Sequence, residues 1–69
     1  MRALGRELRR ARRDADLTQE ELARKAKMER TYISDVERGA HIPSVVLFIK
    51  LCKAIGIAPS KVMRRLENR

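Results

Sequence analysis

Four polar side chains with different hydrogen-bonding abilities lie close together between positions 30 and 35. Arg30 can donate two parallel hydrogen bonds to O6 and N7 of a guanine, and Thr31 can offer a methyl group to thymine or a hydroxyl to either partner. Asp35 can accept from N4 of cytosine; because phosphate repels it, it can also select against wrong sites or orient Arg30 or Arg38. Together with Ser34, these residues favour a surface that reads base edges. The alternative is that Arg30 is a solvated arginine that contacts phosphate alone.

The elements that must position these side chains are two short helices. Leu22, Ala23 and Ala26 recur three and four residues apart, which places one apolar stripe on a first helix. Ile33 and Val36 form a matching stripe on a second helix, and the short stretch between the stripes leaves room only for a tight turn. The small side chain of Ala23 lets the backbones approach where such helices cross, at roughly 90 to 120°. This spacing predicts a helix-turn-helix, a motif that binds duplex DNA.

Capping residues mark the ends of this motif, which spans positions 17–39. Thr18 is predicted to open the first helix, because its hydroxyl can accept from the amide of Glu21 while the Glu21 carboxylate reaches back to the amide of Thr18. Gly39 is predicted to close the second helix as the left-handed residue beyond its end.

The rest of the chain predicts three more helices, over residues 4–15, 45–55 and 59–66. Gly56 should stop the second of them, and Pro59 suits the first turn of the third. The 69 residues make one small domain, 1–69, with a single all-α core. The residues assigned to that core are Leu4, Leu8, Ala11, Leu17, Leu22, Ile33, Val36, Phe48, Leu51, Cys52, Ile55, Val62 and Leu66.

Composition bounds the function independently. The net charge of +8 fits a polyanionic partner, nucleic acid or an anionic membrane surface. We expect no membrane association, since no apolar run approaches the ~18 residues that span a bilayer and the amino-terminal segment is not a secretory signal. A single cysteine indicates a reduced cytoplasm. So small a domain has no room for an active-site cleft, and one Cys with one His cannot make a metal site, so we predict neither an enzyme nor a cofactor.

A set of residues spread over the chain matches a known family in register. The set is Leu17, Gln19, Glu21, Leu22, Ala23, Ile33, Ser34, Glu37, Arg38, Gly39, Pro43, Ser44, Ile55, Gly56 and Ile57. It resembles the lambda-repressor and Cro-like helix-turn-helix family, also called the XRE family, from position 4 to about position 66. The resemblance implies a compact five-helix domain that binds double-stranded DNA. The second motif helix, about residues 30–38, would enter the major groove with its amino-terminal residues at the base edges, so base readout is assigned to Arg30, Thr31, Ser34 and Asp35.

Contacts to the DNA backbone are expected from both ends of the motif. Around Gln19, the side-chain amide and the free N–H groups of the helix start can clamp a phosphate, and the resemblance also places a contact there. It places Arg38 and the amides after Gly39 at the opposite edge of the groove. Beyond that glycine only His41 can carry a charge, and an exposed loop histidine is its simpler interpretation. The full backbone set is Thr18, Gln19, Arg38, Gly39, His41 and Arg13, in which Thr18 is mainly a cap and Arg13 a candidate for long-range attraction.

The same resemblance implies structural features beneath the motif. It aligns Arg12 and Glu37 with an ion pair that fixes the second motif helix against the first helix of the chain, so neither is expected to contact DNA. Relatives usually have glycine at the positions of Asp16 and Lys27, so both are expected to adopt positive φ, with more strain at Lys27. Glu29 is the expected N-cap of the second motif helix, and a poorer one than Ser or Asp.

The segment VVLFI predicts a protein partner, because five consecutive apolar residues cover more than one helix face. Burial needs chiefly Phe48 in this run, so Val46, Leu47 and Ile49 require another cover. We predict that these three, with Met63, form the self-complementary interface of a homodimer, which would place two recognition helices ~34 Å apart. The alternative is that this helix is central to the core.

These features predict a stand-alone transcriptional regulator that binds a pseudo-palindromic operator as a homodimer. We expect control by concentration and dimerisation, since the chain has no room for a sensor domain and no small-molecule effector is evident. The R-T-Y-I-S run from position 30 is similar to controller proteins of restriction-modification systems, a match that leaves activation and repression open. Two alternatives are an antitoxin that neutralises a partner protein and binds DNA secondarily, and a non-specific DNA-binding protein, which the arginine excess would suit.

Overall fold

Five α-helices follow one another in the computed structural model, which describes residues 2–68. They are α1 (Arg2–Asp14), α2 (Gln19–Ala26), α3 (Arg30–Glu37), α4 (Val45–Ile55) and α5 (Pro59–Glu67). The expected all-α, five-helix fold is confirmed. Helix α1 begins two residues before the predicted start and ends one residue early, and α5 extends one residue further. Such differences fall within the usual fraying of helix ends.

The start of α2 is fixed by a reciprocal pair of hydrogen bonds. The Thr18 hydroxyl accepts from the Glu21 amide at 3.0 Å, and the Glu21 carboxylate accepts from the Thr18 amide at 2.9 Å. The predicted capping box is therefore present. The bond from the Thr18 amide, more than any other contact, lowers the pKa of the Glu21 carboxyl, because it favours the charged form.

The turns around the motif use left-handed residues at the expected positions. Lys27 ends α2 with φ 56°, and Asp16, between α1 and α2, has φ 58°. Gly39 follows α3 with φ 79°, and Gly56 follows α4 with φ 91°. At the start of α3, Glu29 is the N-cap, but its carboxylate accepts from the Thr31 hydroxyl at 3.5 Å instead of capping the helix.

The core draws on all five helices. Its buried residues are Leu4, Leu8, Ala11, Leu22, Ala23, Ala26, Ile33, Val36, Phe48, Leu51, Cys52, Ile55 and Val62. Two predicted core residues are only half-buried: Leu66 packs against the cluster, and Leu17 lies in the α1–α2 connection, where its carbonyl accepts from Arg12. No helix within residues 2–68 is long and apolar enough to cross a membrane, and that stretch holds no group of acidic, His or Cys residues suited to a metal ion.

A close approach between α1 and the end of α3 depends on Gly5. A Cβ atom at this position would lie 2.5 Å from the carbonyl oxygens of both Val36 and Glu37. Because real Cβ atoms do not approach backbone oxygens so closely, a larger residue would force α1 away from α3. Gly5 therefore sets the distance at which α1 supports the back of the motif.

Candidate nucleic-acid interface

Most of the polar residues of α3 lie on the side of the helix that faces away from the core, and the buried Glu37 is the exception. Ile33 and Val36, at 1% and 2% exposure, anchor the inner side. The four residues assigned to base readout share the outer side: Arg30 and Thr31 are exposed, and Ser34 and Asp35 are half-buried. The fold therefore brings the four together on one accessible helix face, with the helix held by apolar contacts behind it.

Asp35 is paired with one of the two arginines considered for it. Its carboxylate forms an ion pair with the Arg38 guanidinium, one turn further along α3. The backbone carbonyl of Asp35 accepts from the amides of Ala40 at 2.8 Å and His41 at 3.2 Å. Asp35 thus holds Arg38, and the chain just beyond α3, in a defined position at the carboxyl end of the helix.

An ion pair lies directly beneath the motif, between α1 and α3. The Arg12 guanidinium donates from Nε to Glu37 Oε2 at 2.7 Å and from Nη2 to Oε1 at 3.1 Å, and its Nη1 donates to the carbonyl of Leu17 at 2.7 Å. Arg12 is 7% exposed and Glu37 8%. A two-bond pair at this depth holds the end of α3 against α1 and the start of the motif.

A row of hydrogen bonds connects this pair to the outer face of α3. Gln19, the first residue of α2, donates from Nε2 to Glu37 Oε1 at 3.1 Å. Its Oε1 accepts from Nη1 of Arg30 at 3.4 Å. Sequence reasoning missed this connection, because it joins residues from three helices and leaves no periodic signal. The only hint was that Gln19 and Arg30 are the first residues of the two motif helices.

The residues assigned to the DNA backbone occupy four separate places. Thr18 and Gln19 lie at the start of α2, the first exposed and the second half-buried. Arg38 is exposed, and Gly39 follows it. Two more are exposed: His41 in the loop before α4, and Arg13 in the last turn of α1.

Tyr32 is a further residue of α3 that the sequence did not single out. Its ring meets the His41 ring edge-on, with centroids 5.0 Å apart, so the loop after α3 packs back on the helix. Burial raises the pKa of the Tyr32 phenol, and the buried hydroxyl finds no hydrogen-bond partner within residues 2–68. The contact gives His41 a packing role whatever its relation to DNA.

The four residues predicted to form a dimer interface do not all share one face. Val46 is 74% exposed, Ile49 39% and Met63 48%. Met63 shares an apolar groove with Val45, which is also 74% exposed. Leu47 is half-buried on the other flank of α4, in a cleft beside the α2–α3 turn. Within residues 2–68, the large exposed apolar side chains are those of Ile42, in the loop before α4, and of Val45, Val46, Ile49 and Met63. We call the last four the α4–α5 patch.

The tight crossing of α2 and α3, with a polar face of α3 turned outward, defines a helix-turn-helix domain. The chain belongs to the helix-turn-helix domain family, whose pattern matches residues 3–66. The resemblance drawn from the motif residues is thereby confirmed.

The chain is also similar to individual proteins of known name. The chain is 39% identical over 49 residues to the control protein C.BamHI of Bacillus amyloliquefaciens, a match covering 71% of this chain and 60% of that protein. Among solved structures, the restriction-modification controller protein C.AhdI of Aeromonas hydrophila is 36% identical with a TM-score of 0.85, over 88% of this chain and 92% of that one. The clp gene regulator ClgR of C. glutamicum is 33% identical with a TM-score of 0.92, over 97% and 87%. This chain spans between 42% and 64% of the length of the curated relatives it matches.

Proposed function

We propose that this chain is a sequence-specific transcriptional regulator that binds double-stranded DNA with α3 in the major groove. The observation that carries the proposal is the outer face of α3, where the four polar residues assigned to base readout lie on a helix anchored by Ile33 and Val36. Similarity to the control protein C.BamHI, to the restriction-modification controller protein C.AhdI and to the clp gene regulator ClgR supports this class of function. Such a protein would act in the cytoplasm, if its source is a bacterium like those of its relatives.

In this proposal some residues of α3 contact base edges, and Asp35 positions a neighbouring side chain. Arg30, at the amino end of the helix, would donate to O6 and N7 of a guanine, and Thr31 would meet the neighbouring base through its methyl or hydroxyl group. Asp35, already engaged with Arg38, would hold that arginine toward a phosphate and repel misplaced backbone. Ser34 would contact either kind of base edge.

The start of α2 would clamp a phosphate on one side of the groove. The Thr18 hydroxyl accepts a hydrogen bond from the Glu21 amide. The amides of Gln19 and Glu20, which come earlier in α2, have no partner within the helix and can donate to an anion. Gln19 adds a side-chain N–H there. Arg38, the amides around Gly39 and His41 would meet the backbone at the other edge of the groove, while Arg13 would contribute to long-range attraction.

We also propose that two copies of the chain associate through the α4–α5 patch. Four neighbouring apolar side chains that remain exposed on so small a domain favour a further apolar contact. A two-fold contact would present two recognition helices to successive half-sites ~34 Å apart, so the operator would be pseudo-palindromic.

In vitro selection from random duplexes at about physiological salt tests the DNA-binding proposal. The wild-type chain should enrich a two-fold symmetric motif, and Arg30→Ala should lose the preference at one base pair of each half-site. Arg64→Ala, which removes an exposed arginine from α5, is the matched control and should enrich the full motif.

Other results of the selection would indicate a different role for Arg30 or a different function for the chain. If Arg30→Ala recovers the full motif with uniformly weaker binding, Arg30 contacts phosphate alone. Retention of duplexes without any motif would indicate a non-specific DNA-binding protein. No retention would favour the antitoxin alternative, in which the α4–α5 patch binds a partner protein.

A further inference from the structure

Glu37 lies at a junction where it does more than neutralise Arg12. Its side chain is 4% exposed, and its Oε1 accepts from two donors, Arg12 Nη2 at 3.1 Å and Gln19 Nε2 at 3.1 Å. A carboxylate offers only acceptors, so it accommodates the NH₂ end of a neighbouring amide and repels the oxygen end. Glu37 therefore dictates which end of the Gln19 amide turns inward.

The opposite end of the same amide faces Arg30. With Nε2 turned toward Glu37, Gln19 presents Oε1 outward, where it accepts from Nη1 of Arg30 at 3.4 Å. A flipped amide would place its oxygen against the carboxylate and its NH₂ group against the guanidinium, which has only donors. The contacts with Glu37 and with Arg30 therefore favour the same orientation of the Gln19 amide. Glu37 is buried and held by Arg12, whereas Arg30 is exposed, so Glu37 is the partner that fixes this orientation.

We infer that Glu37 is a positioning residue for Arg30 and acts on it through the orientation of the Gln19 amide. One Nη1 bond to Gln19 steadies the guanidinium and leaves its other edge, Nε and Nη2, for the two acceptors of a guanine. The second N–H of Gln19 Nε2 remains for a phosphate. The inference rests on the proposed base readout by Arg30 and assigns the buried ion pair a part in it.

Base discrimination separates this role from a merely structural one. An ion pair that only holds α3 against α1 would, when weakened, reduce the folded fraction and lower affinity for every duplex equally. A positioning role instead changes the ratio of affinities between the selected duplex and the duplex with one base pair replaced. The base pair to replace is the one at which the Arg30→Ala protein has lost its preference in the selection experiment.

Two substitutions break the chain of hydrogen bonds at different points. Glu37→Gln keeps the shape of the side chain but can turn either an N–H or an oxygen toward Gln19. Gln19→Met removes both amide bonds and leaves the buried pair of Arg12 and Glu37 intact, so it remains informative if Glu37→Gln folds poorly. Val62→Ala, in the core on α5, controls for lost stability alone, since Val62 is fully buried away from this network.

We expect Glu37→Gln and Gln19→Met each to lower discrimination at the Arg30 base pair by about 3- to 10-fold. Neither should lower it further in an Arg30→Ala background, and Val62→Ala should leave it unchanged. If both variants keep wild-type discrimination while Arg30→Ala loses it, the inference is overturned and the proposed base readout stands. If Arg30→Ala itself loses nothing, the readout fails and the inference fails with it.

NMR of the free protein identifies which step has failed. The Nε2 proton of Gln19 that is bonded to Glu37 should be shifted downfield of its position in a solvent-exposed glutamine amide, and Glu37→Gln should reduce that downfield shift. Unchanged Gln19 proton shifts in Glu37→Gln would show that Glu37 does not set the amide, and would overturn the inference without involving DNA.

Discussion

At the scale of single residues, the two arginines at either end of α3 are held in different ways. Arg30 is held by a long hydrogen bond to a neutral amide, whereas Arg38 is paired with a full negative charge on its own helix. A carboxylate beside a candidate phosphate ligand weakens attraction to DNA of any sequence. On the proposed function, Asp35 should therefore lower affinity for DNA of any sequence and restrict where Arg38 can reach.

Asp35→Asn should raise affinity for a duplex without the selected motif by about 2- to 10-fold at low salt, and by less at high salt. Its effect on stability should stay below about 1 kcal/mol, because the ion pair is exposed. Fluorescence titration against salt concentration measures the affinity. Glu67→Gln makes the same charge change on α5 and should have little effect. Equal gains in both variants would mean that net charge, and not the position of Asp35, sets non-specific binding.

Cys52 carries a separate residue-scale prediction about pH. Burial raises the pKa of its thiol from 9.0 to about 11, because the thiolate would lose its hydration in the core. A raised pKa in the folded state means that the thiol contributes full stability below pH 9, and that this contribution is lost as the pH rises toward 11. Cys52→Ala should remove up to about 2 kcal/mol of that pH dependence, measured by urea unfolding between pH 8 and 10.5. If the free energy of unfolding falls with pH equally in the wild-type chain and in Cys52→Ala, the prediction is wrong.

At the scale of helices, support for the motif comes from the contact between α1 and α3. Gly5 allows the backbones to approach, and the pair of Arg12 and Glu37 fixes the same two helices about two turns further along α1. A small residue and a buried charge pair at one crossing make the position of α3 sensitive to α1, although α1 contributes none of the residues assigned to base readout.

Gly5→Ala should destabilise the protein by about 1–3 kcal/mol, because the new methyl group meets backbone oxygens that cannot move independently. Helix propensity alone predicts the opposite, a gain of about 1 kcal/mol from replacing glycine by alanine. Urea unfolding distinguishes the two. Gly56→Ala adds the same methyl group to open space, so it should cost only the strain of φ 91°. A more stable Gly5→Ala protein would show that α1 can shift without cost.

Helix limits could be predicted from the sequence because they depend on nearby residues. The Thr18 and Glu21 cap and the glycines after α3 and α4 follow from interactions within a few positions, whereas the left-handed Lys27 could be expected only from the resemblance to the family. The role of Gly5 and the bonds of Gln19 could not, since they arise only when α1 and α3 dock. Leu17 was assigned to the core on its apolar character, but a connection that must present its carbonyl to Arg12 keeps the residue half-buried.

At the scale of the whole molecule, charge and apolar surface have separate roles. A net charge of +8 draws the domain to any duplex, which gives speed without sequence preference. One recognition helix reads few base pairs, so a single copy gains limited specificity. Pairing through the α4–α5 patch would double the number of bases read and make binding depend on protein concentration.

Sedimentation at micromolar concentration should therefore give a species of twice the chain mass, and Ile49→Glu should convert it to the monomer by placing a charge in the α4–α5 patch. Ala15→Glu, exposed after α1, is the matched control and should remain dimeric. Monomeric Ile49→Glu should bind an isolated half-site as the wild-type monomer does but lose its advantage on the two-fold symmetric duplex. If the wild-type chain is monomeric both alone and on DNA, the patch has another partner, and the apolar surface of α4 would then support the antitoxin alternative.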